Sequence, residues 1–476
     1  MATSSAAAHF CHDRRGESAG DGKSIKVRGI LRRRTAALAL VVAAFFAVSL
    51  PAAAQRISLI RDAETENTIR TFATPIFQAA GLGVDDVHIY IVRDGQINAF
   101  VAGGQKLFMN TGLLFRSESA SQIIGVIAHE AGHITGGHLS RLQDELRGAT
   151  AIQILSMVLG AAAAVAGRGD AGMAIMGAGS SAAIANVLSF SRAQESAADQ
   201  AGLTFLERSG YSAKGMLEFF EILSGQEMLS QARQSPYMRT HPLTRERVDT
   251  VRASVQRARY ADAAVPPEFE RMHKRIKAKL FGFIEQPSRT MQTYKESDKS
   301  EAARYGRAVA YYRIPDMARA LPLIDGLIAE FPADPYYWEM KGQMLFENGR
   351  IPEAVATFTE AVRLLPTAPL IRVALAQAQL ELGLPAETRS ALANLNAAVQ
   401  TDRDHGLAWR LLAIAHGREG RVGEAALALA EQAMVENRTP DAAQQAVRAQ
   451  RLLPEGSPGW LRAQDIKIQA ESKKRK

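Results

Sequence analysis

The pattern of hydrophobic and polar positions divides the chain into a mixed first half and a helical second half. Residues 57–80 follow a helical pattern. Short runs at 87–92, 99–101 and 106–109 are rich in β-branched, aromatic and other apolar residues and are separated by glycine-containing segments, which predicts strands joined by turns. After residue 301 the pattern is helical throughout. We therefore expect a mainly α protein whose first half contains a small sheet.

A further helix is predicted to begin at residue 119. Ser119 and Gln122 have the spacing of a capping box, in which the first side chain caps the amide three residues later. Isoleucine and valine residues between 123 and 127 give the helix an apolar flank. Gly136 and Gly137 then weaken or end it.

This helix carries the pattern H-E-x-x-H at His129, Glu130 and His133. Histidines four residues apart lie on one face of a helix, and each can offer a ring nitrogen to one Zn²⁺ at about 2.0–2.1 Å. Glu130 lies beside His129, off the ligand line but close enough to take a proton from the attacking water. The motif predicts a zinc hydrolase; the alternative is an amphipathic helix that carries two histidines by chance.

A zinc site needs a third protein ligand, and the sequence offers two candidates. His138 lies roughly 140° round a continuous helix from His133, so we expect it not to share that metal. Glu195 in a second predicted helix fits better, with Asp199 one turn further on. Asp199 would then hold a ligand histidine from outside the metal shell. A solvated acidic helix face is the alternative for this pair.

A third motif, H-P-x-x-x-x-R, follows at His241 and Arg247. With the three motifs in this order, the chain resembles the HtpX-like zinc metallopeptidases over roughly residues 60–255. The resemblance implies an α+β zincin domain of the gluzincin type with one Zn²⁺ per chain. The implied metal ligands are His129, His133 and Glu195.

The resemblance also implies roles for the residues around the metal. Glu130 is the expected general base, and His241 and Arg247 are expected to stabilise the tetrahedral intermediate. The segment at Asn98, Ala99 and Phe100 resembles the family's edge strand, which can pair with an extended substrate chain. Residues 226–240 before His241 have the composition of a flexible loop, so His241 could also occupy the open metal position and hold the resting enzyme inactive.

The N-terminus has the features of a secretory signal. Basic residues between 23 and 34 precede an apolar run at 35–50, and Ala52 and Ala54 supply a small-residue cleavage pattern. We expect residues 1–54 to be removed in the periplasm, which would also remove Cys11, the only cysteine. A translation start after Met1 and an uncleaved anchor are the alternatives.

An apolar insert rich in alanine and glycine separates the two metal motifs at residues 151–190. A membrane span needs about 20 strongly apolar residues, and small and polar residues dilute both halves of this insert. We expect a mobile or membrane-grazing cover over the cleft. The alternative is an integral membrane peptidase with residues 151–190 inserted.

The second half of the chain repeats itself. Trp338 and Trp409 are 71 residues apart, and Gly349 and Gly383 are 34 apart. A 34-residue helical period resembles the tetratricopeptide repeat, whose helix pairs stack into an α-solenoid. The expected organisation is a peptidase domain at 55–256, a Pro- and Lys-rich linker at 257–300, repeats at 301–466 and a basic tail at 467–476.

The distribution of charge argues against a nucleic-acid partner. The formal net charge is +8, but the signal and the tail account for all of it, and residues 55–466 carry a net charge of −1. A secreted peptidase with such repeats resembles the periplasmic β-barrel assembly-enhancing proteases. The resemblance implies quality control of misfolded or stalled outer-membrane proteins, with the repeats docking on the barrel-assembly machinery. A chaperone with a vestigial zinc site is the alternative.

Overall fold

The computed structural model describes residues 58–141, 144, 145, 147, 150–153, 156, 157, 169–225 and 235–474. The predicted signal lies outside these ranges, as do parts of the insert (residues 158–168) and of the predicted loop (residues 226–234). The first elements are β1 (Leu59–Ile60), α1 (Ala63–Ala79), β2 (His88–Val92), β3 (Ala99–Ala102), β4 (Lys106–Asn110) and α2 (Thr111–Arg116). They are followed by α3 (Ala120–Thr135), α4 (Gly169–Ser209), α5 (Lys214–Ser224), α6 (Pro236–Thr240) and α7 (Arg245–Arg257).

The four strands form one mixed sheet in the order β1-β2-β4-β3. β2 and β4 are parallel, whereas β1 and β3 run antiparallel to their neighbours at the two edges. Because side chains alternate along a strand, Ile91 and Met109 are fully buried in the core, while Tyr90 and Phe108 stack on the other face with ring centroids 5.0 Å apart. The predicted strands are therefore present.

Helix α3 lies in the centre of this domain because its glycines admit close neighbours. A methyl group on Gly125 would lie 2.7 Å from the backbone of Met216 in α5. A methyl group on Gly132 would lie 2.6 Å from the carbonyl oxygen of Ala198 in α4. The two contacts bring both partner helices against the H-E-x-x-H motif.

The segment predicted as a linker is instead largely helical. It contains α8 (Pro267–Ile284) and α9 (Pro287–Thr293), each with a proline in its first turn. Phe269, Ile276 and Leu280 of α8 are buried in the same core as the sheet. Proline and lysine misled the prediction, because proline is favourable at the start of a helix and long basic side chains can cover an apolar surface.

Five helix pairs follow α9. They are α10 (Glu301–Arg313) with α11 (Met317–Glu330), α12 (Pro335–Glu347) with α13 (Ile351–Leu364), α14 (Pro369–Leu382) with α15 (Pro385–Thr401), α16 (Gly406–Arg418) with α17 (Val422–Val435), and α18 (Thr439–Leu452) with α19 (Pro458–Lys474). Gly349, Gly383 and Gly420 all have φ near +75°, and they close equivalent turns. The 71-residue spacing of Trp338 and Trp409 exceeds two 34-residue periods by three residues, and α15 is longer by that amount, with 17 residues against 14 in α13 and α17. The last helix includes much of the segment predicted as a basic tail.

The repeats pack against the beginning of the peptidase domain through buried ion pairs. Helix α8 carries Arg275 and Lys279, which are each 3% exposed in their side chains. Arg275 pairs with Glu64 at 2.7 Å and with Asp334 of α12, and Lys279 pairs with Asp62 at 2.6 Å. We call this group the interface cluster; its members are Asp62, Glu64, Arg275, Lys279, Glu301, Asp334 and Glu339.

Helix α4 is the longest in the structure, with 41 residues, and it includes the second half of the apolar insert. Within the ranges that the structure describes, no helix combines the length and the apolar composition needed to cross a membrane.

Candidate active site

Helix α3 presents the H-E-x-x-H motif inside the domain. The Ser119 side chain caps the helix by accepting from the Gln122 amide, as predicted. The Gln122 side chain accepts from the amide of Glu118, one residue earlier than in a capping box. His129 is fully buried and Glu130 is 1% exposed, so the chemistry of these side chains is shielded from bulk water.

Helix α4 brings Glu195 and Asp199 to these histidines. Glu195 lies 3.4 Å from His133 Nε2 and 3.5 Å from His129 Nε2. Asp199 Oδ1 lies 2.9 Å from His129 Nδ1, on the far side of that ring. Glu195 and Asp199 are one helical turn apart. Glu195 therefore faces the Nε2 atoms of both histidines, and Asp199 contacts the opposite nitrogen of His129, which is the arrangement expected from their spacing.

The third motif closes the site from the side of α6 and α7. His241 follows α6, and its Nδ1 lies 3.1 Å from Glu195 Oε1 and 3.3 Å from His129 Nε2. Thr244 caps α7, which places Arg247 in the first turn. The Arg247 guanidinium donates to both oxygens of Asp199, at 2.6 and 2.9 Å, and to the Pro242 carbonyl at 2.6 Å.

Four of these side chains can hold a metal ion together. One ligand atom from each lies within 4.8 Å of the others, and the four are His129, His133, Glu195 and His241. We call these four, with Glu130, Asp199 and Arg247, the metal cluster. Its three carboxylates and one guanidinium carry a formal charge of −2 when the histidines are neutral, which one divalent cation would balance.

The electrostatics of the cluster indicate the same need for positive charge. Burial disfavours a charged imidazole, but hydrogen bonds and charges from Asp199 and Glu195 outweigh it and raise the pKa of His129 to about 10. Burial likewise opposes the charged form of Glu195, yet His241, His129 and His133 hold the pKa of that carboxyl well below its usual range. The residues therefore fit a bound metal cation.

The comparisons with known proteins agree with this arrangement. Residues 60–255 match the model of peptidase family M48. This region is an M48 peptidase domain. Tetratricopeptide repeat models match residues 293–335, 305–369 and 339–387.

Several relatives match part of the chain. A putative beta-barrel assembly-enhancing protease of Vibrio cholerae is 28% identical over 52% of this chain and 52% of its own length. The beta-barrel assembly-enhancing protease of Yersinia pestis is 25% identical over 76% of this chain and 74% of its own, and that of Escherichia coli is 28% identical over 68% and 66%. The chain thus spans between half and three quarters of these relatives. Among solved structures, YrrB, "a TPR protein with an unusual peptide-binding site", is 18% identical over 36% of this chain and 89% of its own, with a TM-score of 0.30.

Glu130 is a buried acid of the M48 domain that accepts no hydrogen bond from any described residue. Both carboxylate oxygens are buried, and among the described residues neither accepts a hydrogen bond. The nearest opposite group is His241 Nε2, which is 3.6 Å from Oε1 and also has no hydrogen-bond partner. A buried carboxylate is costly unless it is paired, so the lack of a partner for Glu130 needs a functional explanation.

The predicted substrate strand lies at an edge of the sheet. β3 pairs with β4 on one side, with Ala99 opposite Met109 and Phe100 opposite Phe108. No described strand pairs with its other side. Asn98, just before the strand, is buried with an unpartnered side-chain oxygen. The M48 domain therefore has an open strand edge near α3, which β3 contacts.

Two residues near the cluster were excluded or overlooked by the sequence reasoning. His138 does not lie 140° from His133, because α3 ends at Thr135; its ring lies 4.9 Å from the His133 ring. Tyr237 lies in α6, within the segment predicted as a loop, and its ring is 4.6 Å from that of His241. Burial raises the pKa of Tyr237 well above 10, so its unpartnered hydroxyl keeps its proton. A serine cap followed by proline at 235–236 was the available signal for this short helix.

Proposed function

We propose that this protein is a zinc-dependent endopeptidase that binds one Zn²⁺ per chain through His129, His133 and Glu195. The observation that carries the proposal is the buried set of nitrogen and carboxylate ligands beside the unpartnered Glu130, within a metal cluster whose net charge of −2 matches a divalent cation. Two histidines and a carboxylate form a ligand set that catalytic zinc uses. When bound, Zn²⁺ would polarise the scissile carbonyl and make water acidic enough to attack at neutral pH.

The residues around the metal would then have separate roles in the reaction. Glu130 takes the proton of the attacking water and passes it to the leaving amine. Asp199 accepts from His129 Nδ1–H and so fixes that ring with Nε2 towards the metal. The free edge of β3, with Asn98, Ala99 and Phe100, pairs with the backbone of an extended substrate and presents its amide bond without reading much sequence.

Arg247 has contacts that favour a positioning role. The resemblance implied that it stabilises the tetrahedral intermediate. Its guanidinium is 4% exposed, and its donors are used by Asp199, Pro242 and Glu195. We propose that Arg247 holds the two carboxylates of α4 in place, and that His241 is the group of this motif that meets the substrate.

His241 also suits a resting latch. Its Nδ1 lies within the ligand cluster, so a neutral imidazole could occupy the position that catalytic zinc keeps open and leave when substrate binds. A His241→Ala variant should then show more basal cleavage, including self-cleavage. If basal cleavage is unchanged or lower, His241 does not act as a latch.

We further propose that the protein acts in the bacterial periplasm on misfolded or stalled outer-membrane β-barrel proteins. The names of the relatives and the tetratricopeptide repeats support this role, with the repeats as the docking surface for the barrel-assembly machinery. Contact with the membrane surface through the insert remains part of this proposal. The unpartnered Glu130 weighs against a chaperone with a purely structural zinc, because such a site needs no base.

Substrate trapping tests the proposed role. A full-length Glu130→Gln variant should bind substrates without cleaving them, so crosslinking in cells should recover outer-membrane proteins. An edge-strand variant, Val101→Pro in the same background, should recover fewer of them, because the β3–β4 register points the Val101 N–H to the open edge and proline removes that donor. Recovery of mainly soluble cytoplasmic proteins, or equal recovery by an unrelated periplasmic control, would contradict the proposed substrates.

A further inference from the structure

His138 lies directly behind the metal ligand His133, although five residues separate them. Helix α3 ends at Thr135, and Gly137 has φ +60°, a left-handed conformation that turns the chain back on itself. The His138 ring then lies against the helix end with its Nδ1 2.9 Å from His133 Nδ1. His138 is 6% exposed, so this hydrogen bond is shielded from water.

Two further contacts fix the His138 ring in this position. The Gln194 side chain donates to the His138 carbonyl oxygen at 3.3 Å, which ties the turn to α4 one residue before Glu195. Gly136 leaves the space that the ring occupies, since a methyl group on Gly136 would lie 2.2 Å from His138 Nε2. Any side chain at Gly136 would therefore displace the ring.

The chemistry of imidazole determines the direction of the hydrogen bond. His133 Nε2 faces His129 and Glu195, at 3.1 and 3.4 Å, so this atom is the one that ligates the metal. A neutral imidazole that ligates through Nε2 carries its proton on Nδ1. His133 Nδ1–H must then donate, and His138 Nδ1 must accept with its own proton on Nε2.

We infer that His138 is a positioning residue that accepts the hydrogen bond from His133 Nδ1–H and so fixes the tautomer and the ring orientation of this ligand. It does for His133 what Asp199 does for His129, with a neutral ring in place of a carboxylate. Metal-ligating histidines usually bond through their second nitrogen in this way, and that bond contributes to metal affinity. The inference rests on the proposed function, because it takes His133 as a zinc ligand.

Zinc affinity of the metal-free full chain, measured by competition with a chromophoric chelator, tests the inference. His138→Leu removes the acceptor and should weaken zinc binding by about 10–100-fold. His138→Asn retains an acceptor oxygen near the former Nδ1 position, so its affinity should stay within about threefold of the wild type. His273→Leu is the matched control, because His273 is also buried and hydrogen-bonded, to Ser117 at 2.7 Å, but lies outside the site. It should lower the melting temperature and leave zinc affinity unchanged.

A second variant keeps the test decisive if His138→Leu does not fold. Gly136 has φ −70°, which alanine accepts, so Gly136→Ala should act mainly by moving the His138 ring and should also weaken zinc binding. His138→Ala removes both the ring and the acceptor, so adding Gly136→Ala to His138→Ala should have little further effect. An equal loss in both backgrounds would overturn the inference.

The remaining outcomes separate this inference from the proposed function. Suppose that the wild type binds zinc. If His138→Leu then binds zinc equally well, or if His138→Asn binds it as weakly as His138→Leu does, the positioning role of His138 is wrong, but the zinc site stands. If the wild type binds no zinc, both are overturned.

Discussion

The protein buries two clusters of charged side chains, and they differ in how completely the charges are paired. In the interface cluster Arg275 and Lys279 reach carboxylates from both the peptidase domain and the repeats, and each carboxylate has a cation within 3.9 Å. In the metal cluster Arg247 pairs with Glu195 and Asp199, while Glu130 accepts no hydrogen bond from any described residue and lies 3.6 Å from His241.

This difference in pairing indicates different roles for the interface cluster and the metal cluster. The ion pairs of the interface cluster hold the peptidase domain and the repeats in one arrangement. Because their charges are paired, these side chains have little tendency to react. The metal cluster keeps an excess of negative charge and an unpaired base, which is unfavourable for folding but suits a site that receives a cation and a proton. We therefore expect damage to the first cluster to change stability, and damage to the second to change metal binding or catalysis.

Breaking the interface cluster should have the largest effect on stability. Arg275→Met leaves Glu64 and Asp334 buried without their main partner, so the free energy of unfolding should fall by about 3–5 kcal/mol. Denaturant titration measures this change, and zinc affinity should stay the same. Arg289→Met is the control on α9: its pair with Glu285 is exposed, and the loss should stay below about 1 kcal/mol. Equal losses in the two variants would contradict the comparison.

Breaking the metal cluster should mainly weaken zinc binding. Glu195→Gln removes a charged ligand, so zinc affinity should fall by more than the roughly 10–100-fold that loss of an outer partner costs. The metal-free variant should lose less stability than Arg275→Met does. Glu207→Gln, on the same helix but outside the metal cluster, should change neither quantity. Stoichiometric zinc in Glu195→Gln under chelator competition would point to another third ligand.

The smallest expected effect on stability comes from Glu339, the acid of the interface cluster with the longest ion-pair distance. Burial raises the pKa of Glu339 to about 8, and Lys279 at 3.9 Å only partly opposes this. The pKa of Glu339 is higher in the folded than in the unfolded state. The contribution of Glu339 to the free energy of unfolding is therefore complete at low pH and is lost as pH rises towards 8. Glu339→Gln should remove this dependence and make the protein more stable than the wild type at pH 9, by an amount of order 2 kcal/mol.

Unfolding midpoints at pH 5 and pH 9 measure this effect. Glu381→Gln, an exposed acid on α14, is the control and should keep the wild-type pH dependence. If Glu339→Gln keeps the same slope as the wild type between these pH values, Glu339 is not the group that titrates.

The sequence predicted the metal cluster well because its spacing is local. The histidines of α3 and the acids of α4 each share one helix face, so a four-residue interval determines which side chains face together. The same reasoning failed for His138, since it assumed that the helix continues past Gly136. The sequence does not indicate the position of Tyr237, because the composition of residues 226–240 predicts a loop where the structure has a five-residue helix at its end.

The interface cluster was not predictable in this way. Asp62, Arg275 and Asp334 are far apart in the chain, and no local pattern indicates that they meet. Proline and lysine in the segment around Arg275 favoured a linker, whereas tertiary packing makes α8 part of the core. The repeats were recognisable by their period, but the period says nothing about the peptidase surface that they cover. A truncation at residue 300 would expose Arg275 and Lys279, so the full chain is the appropriate material for each experiment.

The most direct test of the account is a paired measurement on Glu130→Gln. The amide has nearly the shape of the carboxylate but cannot take a proton from water, and Glu130 is not among the proposed ligands. Zinc content should therefore remain at one per chain, while cleavage of an unfolded model peptide falls by at least about 10²–10⁴-fold. A zinc-loaded variant that cleaves the peptide at the wild-type rate would contradict the assignment of Glu130 as the general base.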